Sequence, residues 1–377
     1  MFQWAQQTLA NVAGTQEPHY GPEAIQSVEA QAKDTPYTEL TKDDLKWRQL
    51  NYTNVETQTF YVFTNDGKIA MAQVIYSNVM SLNVTVQFCS KVFYQDGKTP
   101  NLFSSNPLHN HTASEDKFSF LADKCSVELS EDGSAYHIQS STSDKCLVDV
   151  TFTRTTPGFK VGKDGTSYFG TDHANPWGHM YHGFWPACTV TGRYRTEGGD
   201  LDMSGKGVYI HAIQGMKPHH AAARWNFANF KSPSYNAIMM EFTTPASYGT
   251  TVVNVGGITT QDTILFAGAP QKAEHTETSQ DAENEWPAPT AGRYTWHGTT
   301  KDGKEVTAEL AAPLGDRLDR IDVMAEVPKF VKQIVAGAAG TKPYIYQYGL
   351  KTKLKIKIGD EEKEEDGQLF TEATFIS

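Results

Sequence analysis

The segment KCLVDVTFT, residues 145–153, places an apolar side chain at every second position, from Cys146 to Phe152. The same two-residue period recurs in EVTAEL, residues 305–310, and in KLKIKI, residues 353–358. A period of two puts one face of a strand in a core and the other in water, as in antiparallel sheets. The chain is therefore predicted to be mainly β.

Turn signals separate these segments. Asp-Gly pairs favour tight turns that need a positive φ. Six of them begin at Asp66, Asp96, Asp132, Asp164, Asp302 and Asp366. The acidic segment Asp360–Asp366 is interpreted as a solvated hairpin loop between two strands. Many short strands with few helical patterns predict an all-β sandwich or barrel, with Pro328–Ala336 as the main candidate for a further helix.

The length of 377 residues exceeds what one hydrophobic core usually serves, so two domains are expected. We predict a linker and lead-in over residues 15–46, a first barrel-like domain over 47–217 and a second over 218–377. The two barrels are expected to pack together. Thr41 and Asp44 have the spacing of a capping box, which predicts a helical turn before the first strand.

Composition excludes several classes of protein. The chain has 33 lysine and arginine residues against 44 aspartate and glutamate residues, a net charge of −11. Nucleic acid as a partner is excluded, because phosphate binding needs a basic face. The four cysteines form no C-x-x-C pair, and neither a secretory signal nor a run of about 18 apolar residues occurs. A reducing compartment and free thiols are expected.

Motifs for catalysis and metal binding are scarce. No G-x-S-x-G, Walker A or Rossmann pattern occurs in the right context. The pairs His179-x-x-His182 and His219-His220 lack the further cysteine or carboxylate ligands that a zinc site needs. We predict no metal, no cofactor and no catalytic residues.

An aromatic and histidine-rich segment, from Trp177 to Trp185, is the main candidate for a binding site. Such residues either fill an ordinary core or line an apolar pocket that carries a few polar groups. Both interpretations remain open at this point. The predicted ligand-binding residues are Trp177, His179, Tyr181, His182, Phe184, Trp185, His211, His219, Trp225 and Met239.

The first fourteen residues carry an apolar stripe at helical spacing, without a flanking lysine or arginine. A helix of this length cannot span a membrane, so it is expected either to lie in a membrane interface or to dock on its own domain. Membrane contact is the preferred alternative. The predicted membrane-binding residues are Met1, Phe2, Trp4, Ala5, Leu9 and Val12.

Four motifs resemble the fungal oxidative-stress survival factor family. They are E-P-x-Y-G at 17–21, FWP at 184–186, GMKPHHAAARWNF at 215–227 and KPYIYQ at 342–347. The resemblance implies two lipocalin-like antiparallel β-barrels packed together, with a short N-terminal amphipathic helix. It also implies a carrier that holds ceramide in an apolar cavity, moves it between endoplasmic reticulum and Golgi membranes, and supports survival of oxidative stress. Ala187 stands where the family often has arginine.

The same double-barrel architecture is shared by carotenoid hydratase-like proteins and by cyclases that fold a polyene. A shape-driven cyclase or hydratase is therefore the alternative function, and fold alone does not decide between them. The N-terminal stripe favours the carrier, because a soluble cyclase has no need to touch a membrane. A cytoplasmic protein at the surface of Golgi and endoplasmic reticulum membranes is expected, and a nuclear location is left open.

Overall fold

A computed structural model describes residues 18–79, 83–269, 271–326 and 341–377 of the chain. The N-terminal stripe and the predicted helix at Pro328–Ala336 lie outside these residues. Within them the chain is mainly β, which confirms the predicted fold class. The described helices are α1 (Val28–Ala32), α2 (Pro218–Ala221) and α3 (Val323–Glu326), with 3-10 turns at Pro22–Ala24, Lys42–Leu45 and Ala246–Tyr248.

The first sheet contains sixteen strands. They are β1 (Ile25–Gln26), β2 (Tyr37–Glu39), β3 (Asn54–Thr64), β4 (Ile69–Val79), β5 (Asn83–Phe93), β6 (Leu102–Pro107), β7 (Thr112–Ala113), β8 (Phe120–Ala122), β9 (Cys125–Leu129), β10 (Ala135–Ser143), β11 (Cys146–Arg154), β12 (Phe159–Val161), β13 (Thr166–Phe169), β14 (Gly178–Thr196), β15 (Gly199–Asp202) and β16 (Gly205–Gln214). The main hydrogen-bonded order is β6-β5-β4-β3-β16-β14-β11-β10-β9-β8-β7, with antiparallel neighbours throughout.

The second sheet contains ten strands. They are β17 (Arg224–Lys231), β18 (Asn236–Thr243), β19 (Val252–Thr259), β20 (Ile264–Gly268), β21 (Lys272–Gln280), β22 (Pro287–Thr299), β23 (Glu305–Pro313), β24 (Asp319–Asp322), β25 (Tyr344–Ile358) and β26 (Glu361–Phe375). The hydrogen-bonded order is β20-β19-β18-β17-β26-β25-β23-β22-β21, with β24 on β25. The division into units at 47–217 and 218–377 stays a prediction.

Each sheet curls around an apolar interior of its own. Trp47, Phe60 and Trp185 belong to the interior of the first sheet, whereas Phe230 and Trp296 belong to that of the second. A third apolar region lies between the sheets and draws residues from both. We call it the inter-sheet layer; its large side chains are Tyr61, Phe63, Met71, Phe93, Phe159, Phe169, Met180, Phe184, Met216, Phe227, Phe242, Tyr248 and Phe370.

The lead-in residues form short strands that pair with the first sheet. Strand β1 pairs with β13 and β2 pairs with β12, while Val28 of α1 is buried in the inter-sheet layer. The predicted capping box is confirmed, since the Thr41 amide and hydroxyl both donate to Asp44 Oδ2 at 2.9 Å. Lys160 Nζ holds the other oxygen of Asp44 at 2.5 Å.

The acidic segment Asp360–Asp366 is not a loop, so its sequence interpretation was wrong. The turn is formed by Gly359 and Asp360, and β26 begins at Glu361. The acidic side chains lie opposite lysines of β25, as in the salt bridge of 3.2 Å between Lys353 and Glu364. Opposite charges on neighbouring strands stabilise a sheet, so the charge run extends the hairpin.

All four cysteines are buried and form no disulfide: Cys89, Cys125, Cys146 and Cys188. Burial in apolar surroundings raises the pKa of the Cys125 and Cys188 thiols to about 12. Among the described helices, none is long and apolar enough to cross a membrane.

Candidate functional site

Strand β14 carries most of the predicted ligand-binding residues, and its two faces look into different regions. Phe184 pairs with Ile210 of β16, and both lie in the inter-sheet layer. Trp185 pairs with Tyr209, and both lie in the interior of the first sheet. Successive side chains of a strand alternate between faces, so the aromatic segment is divided between the two regions.

A buried pair of a histidine and a carboxyl group, from β16 and β3, lies on the inner face of the first sheet, the face that looks into its own interior. His211 and Glu56 are both fully buried, and His211 Nε2 lies 2.8 Å from Glu56 Oε1. His211 Nδ1 faces the carbonyl oxygen of Asp44 at 3.2 Å. Oxygen atoms therefore face both ring nitrogens of His211, so the imidazole is held from two sides. The amides of Arg48 and Gln49 also donate to Glu56, each at 2.8 Å.

Aromatic rings enclose this pair. Tyr181 lies edge-on to His211 with ring centroids 5.6 Å apart, and Trp47 is 6.4 Å away. Trp185 packs against Tyr136 and Tyr209, each at 5.1 Å. Within the described part of the chain, the indole nitrogens of Trp47 and Trp185 and the hydroxyl of Tyr181 have no hydrogen-bond partner. Ordered water commonly occupies such positions.

The face of β14 that looks into the inter-sheet layer is lined mainly by aromatic rings and has fewer ionisable groups. The ring of His182 stacks on Phe184 at 6.2 Å and lies edge-on to Trp225 at 5.8 Å. Trp225 in turn packs against Phe242 at 5.4 Å. Burial lowers the pKa of His182 to about 4, so the ring is neutral at pH 7 and offers one donor and one acceptor.

Methionines and unpartnered polar atoms distinguish this inter-sheet face. Four of the nine methionines belong to the layer or pack against it: Met71, Met180, Met216 and Met240. Gln214 pairs with Met180 across the strands, and its Oε1 is buried. His219 Nε2 is buried at the same end of the layer, and burial lowers its pKa to about 3. Neither atom has a hydrogen-bond partner among the described residues.

A buried polar cluster ties the two sheets together further along the layer. Lys91 Nζ of β5 donates to Asp319 Oδ2 at 2.5 Å and to Gln347 Oε1 at 2.8 Å. Tyr61 Oη donates to Glu372 at 3.0 Å, and Gln347 Nε2 donates to the same oxygen. Burial raises the pKa of Glu372. These groups satisfy one another, and we assign them to alignment of the sheets.

An open cleft of about 1130 Å³ lies at the opposite end, beside the turn after β3. Its charged lining residues are Lys206, Lys231, Lys351, Lys353, Lys355, Glu309, Glu364 and Asp366. Burial lowers the pKa of Lys231 to about 7, and its Nζ donates to the carbonyl oxygen of Pro186. Ligand pockets for apolar molecules are lined mainly by apolar side chains, so this cleft suits a neutral lipid poorly.

The predicted ligand-binding residues therefore do not form one group. Three of them lie at the pair of His211 and Glu56, namely Tyr181, Trp185 and His211 itself. Three others lie at the inter-sheet layer, namely His182, Phe184 and Trp225. Trp177 and His179 lie at one end of β14, His219 lies on α2, and Met239 lies in the interior of the second sheet. The predicted membrane-binding residues lie outside the described part of the chain.

Several residues of these sites were missed from the sequence. In β3, Glu56 lies an even number of residues before Phe60 and Val62, whose side chains are in the interior of the first sheet. The alternation of side chains along the strand would therefore have predicted that Glu56 lies in the same interior. Gln214 is the last residue of the strand that carries His211, Met216 follows that strand, and no local pattern distinguishes them. The histidines His179 and His182 belong to different regions, so they do not chelate a common ion.

Sequence comparison places the chain among curated fungal proteins. A ceramide-binding protein of Neurospora crassa is 60% identical over 380 residues, and the match covers 100% of both chains. A ceramide-binding protein of Aspergillus fumigatus is 57% identical over 394 residues, covering 99% of this chain and 100% of the other. The corresponding protein of Schizosaccharomyces pombe is 42% identical, with full coverage of both chains.

Solved structures share the fold at low identity. CghA in complex with Sch210972 has a TM-score of 0.59 at 10% identity, covering 86% of this chain and 89% of the other. Kievitone hydratase of Nectria haematococca has a TM-score of 0.51 at 11% identity, covering 96% and 99%. At such identities the likeness establishes the fold alone. The Svf1 family model matches residues 2–377, and the chain therefore belongs to the Svf1 family.

Proposed function

We propose that this protein binds ceramide and carries it between membranes without chemical conversion. The observation that supports the proposal most directly is full-length identity of 42–60% to fungal proteins named for ceramide binding. Transport between endoplasmic reticulum and Golgi, contact with both membranes and support of survival under oxidative stress belong to the same proposal.

The inter-sheet layer is the proposed site of the lipid chains. It is the apolar region to which both sheets contribute, and its methionines adapt their shape more readily than branched side chains. Burial of apolar surface contributes about 25 cal/mol per Å², so enclosure of two long chains offsets a large cost of association. Side chains fill the layer, so entry of the lipid must move methionines or part the sheets.

Polar atoms at one end of the layer suit the ceramide headgroup. Ceramide carries an amide and two hydroxyls and has no charge. Gln214 Oε1 offers an acceptor, and His182 and His219 offer neutral imidazoles. A neutral headgroup thus meets neutral partners, whereas the lysines and carboxylates of the cleft would be only partly satisfied by it.

Two glutamines offer a matched test of the site. Gln214→Leu removes an acceptor at the inter-sheet layer, and Gln368→Leu makes the same change in the lining of the cleft. One neutral hydrogen bond contributes about 0.5–1.5 kcal/mol, so Gln214→Leu should weaken ceramide binding by about 2–12-fold. Gln368→Leu should leave it unchanged. Titration with a fluorescent ceramide measures both, and the reverse pattern would place the lipid in the cleft.

Mass spectrometry separates the carrier from the cyclase or hydratase alternative. Ceramide extracted after incubation should have its original mass and should be present in stoichiometric amount. Acceptor vesicles should gain labelled ceramide faster with the protein than without it. A product of altered mass, or transfer at the unassisted rate, would contradict the carrier proposal.

A further inference from the structure

Exposed apolar side chains are concentrated at one end of the molecule. Among the described residues, six large apolar side chains are more than a third exposed. Four of them lie at the end where β14 begins: Tyr52 at 43%, Val84 at 43%, Trp177 at 44% and Val252 at 50%. The other two, Phe103 and Leu121, lie on β6 and β8. Isolated exposed apolar side chains need no explanation, but a shared surface indicates a partner.

Contacts connect the four side chains across both sheets. Trp177 Nε1 of the first sheet donates to Tyr248 Oη of the second at 3.1 Å. Thr251, the neighbour of Val252, donates from its hydroxyl to the carbonyl oxygen of Tyr248 at 2.9 Å. The ring of Tyr52 lies edge-on to His179, two residues from Trp177, at 6.4 Å.

Val84 joins the same surface through the first sheet. It pairs with Asn78, whose Nδ2 donates to the carbonyl oxygen of Leu50 at 3.0 Å. Asn54 pairs with the same Asn78 and donates to the carbonyl oxygen of Tyr52 at 2.5 Å. The four exposed side chains therefore form one rim, which we call the Trp177 end.

The N-terminal segment enters the described structure at this rim. The ring of Tyr20 lies 4.8 Å from Trp177, and the Tyr20 amide donates to the carbonyl oxygen of Ser247 at 2.7 Å. The apolar stripe of residues 1–14 is therefore joined to the Trp177 end by a few residues only.

Charges at the Trp177 end are of both signs. Arg48 and Arg224 are exposed there, and so are Glu23 and Asp172. Tryptophan and tyrosine prefer the interfacial region of a bilayer, where an apolar ring and a polar edge are both satisfied. Lys217, at the start of α2, is half-exposed at the same end. A rim of aromatic and aliphatic residues with a few charges of both signs fits a zwitterionic lipid surface better than an anionic one.

We propose that the Trp177 end is a second membrane-contact surface, which inserts into the interface of a zwitterionic bilayer. The inference rests on the proposed carrier function, because a lipid carrier must meet the bilayer at the opening of its binding site. Gln214, His219 and Trp177 lie at the same end of the inter-sheet layer, so ceramide would enter without crossing water.

Flotation of the full chain with phosphatidylcholine vesicles that contain no ceramide tests the surface separately from ligand binding. Trp177→Ser with Val252→Ser should lower the partition coefficient by roughly tenfold, since two partly buried apolar groups are lost. The matched control, Phe103→Ser with Leu121→Ser, removes two exposed apolar side chains from elsewhere and should change it less than twofold. Val252→Ser alone, at a half-exposed position, should give an intermediate loss.

Three outcomes would overturn the proposal. Equal flotation of the wild type and the Trp177 and Val252 double variant would show that the rim does not insert. Equal loss in both double variants would indicate non-specific adsorption. A requirement for anionic lipid would indicate an electrostatic surface instead. Ceramide binding in detergent should survive Val252→Ser, which changes no predicted ligand-binding residue, so failure of this proposal and failure of the carrier proposal are distinguishable.

Discussion

The two faces of the first sheet at the neighbouring strands β14 and β16 carry histidines in different surroundings. On the inner face His211 is held at both nitrogens and pairs with a buried carboxylate. On the inter-sheet face His182 is neutral and lies against the rings of Phe184 and Trp225. A buried group held by several hydrogen bonds resists rearrangement, whereas rings and methionines in an apolar layer can repack. The comparison teaches that residue type alone does not mark a binding site.

The largest effect is expected on the inner face. His211→Leu leaves the Glu56 carboxyl group buried without its imidazole partner, and loss of one partner of a buried pair costs about 3–5 kcal/mol of unfolding free energy. His182→Leu on the other face should cost less than about 1.5 kcal/mol at pH 7, because a neutral ring is replaced by an apolar side chain. Urea denaturation at pH 7 measures both, and similar losses would remove the distinction between the faces.

Lowering the pH should destabilise the folded protein through His182 on the inter-sheet face. Its pKa is about 4 in the folded protein, against about 6.5 in the unfolded chain. The unfolded state binds the proton first, so stability falls as the pH falls from about 6.5 to about 4, by about 3 kcal/mol. His182→Leu should remove this part of the pH dependence. Denaturation curves at pH 7, 5.5 and 4.5 provide the comparison; parallel losses in the two proteins would contradict it.

The smallest expected effect is that of methionine-to-leucine changes, which should alter ceramide affinity at one position while leaving stability nearly unchanged. Met180 lies in the inter-sheet layer, and Met203 lies in the interior of the first sheet. Methionine and leucine have similar volumes, so Met180→Leu and Met203→Leu should each cost less than about 1.5 kcal/mol. Only Met180→Leu should change ceramide affinity, by about two- to threefold, because only that side chain adjoins the proposed site. An equal change in both variants would place the lipid in the barrel interior.

Local patterns predicted the strands but not the division of β14. In β11 the alternation of Cys146, Val148, Val150 and Phe152 marks one buried face, and five of the six Asp-Gly pairs lie between strands. From Met180 to Cys188 every residue is buried, because one face meets a barrel interior and the other meets the second sheet. A strand buried on both sides shows no period, so its faces cannot be assigned from sequence.

Contacts between residues far apart in the chain could not be predicted from the sequence either. Glu56 and His211 meet because β3 and β16 pair in one particular register, although 155 residues separate them along the chain. A shift of that register by one residue would turn Glu56 to the other face. The resemblance to a family supplied the architecture of two packed barrels, but not which side chains of the aromatic segment look into which region.

The rates at which the four buried cysteines react can report local opening of the molecule. With a pKa of about 12, the thiol of Cys188 is ionised in only about one molecule in 10⁵ at pH 7. Oxidants and alkylating reagents therefore react with it chiefly when the surrounding strands separate. Cys89 belongs to the inter-sheet layer and Cys125, Cys146 and Cys188 to the first barrel. Their labelling rates then record the opening of the layer and of the barrel as separate events.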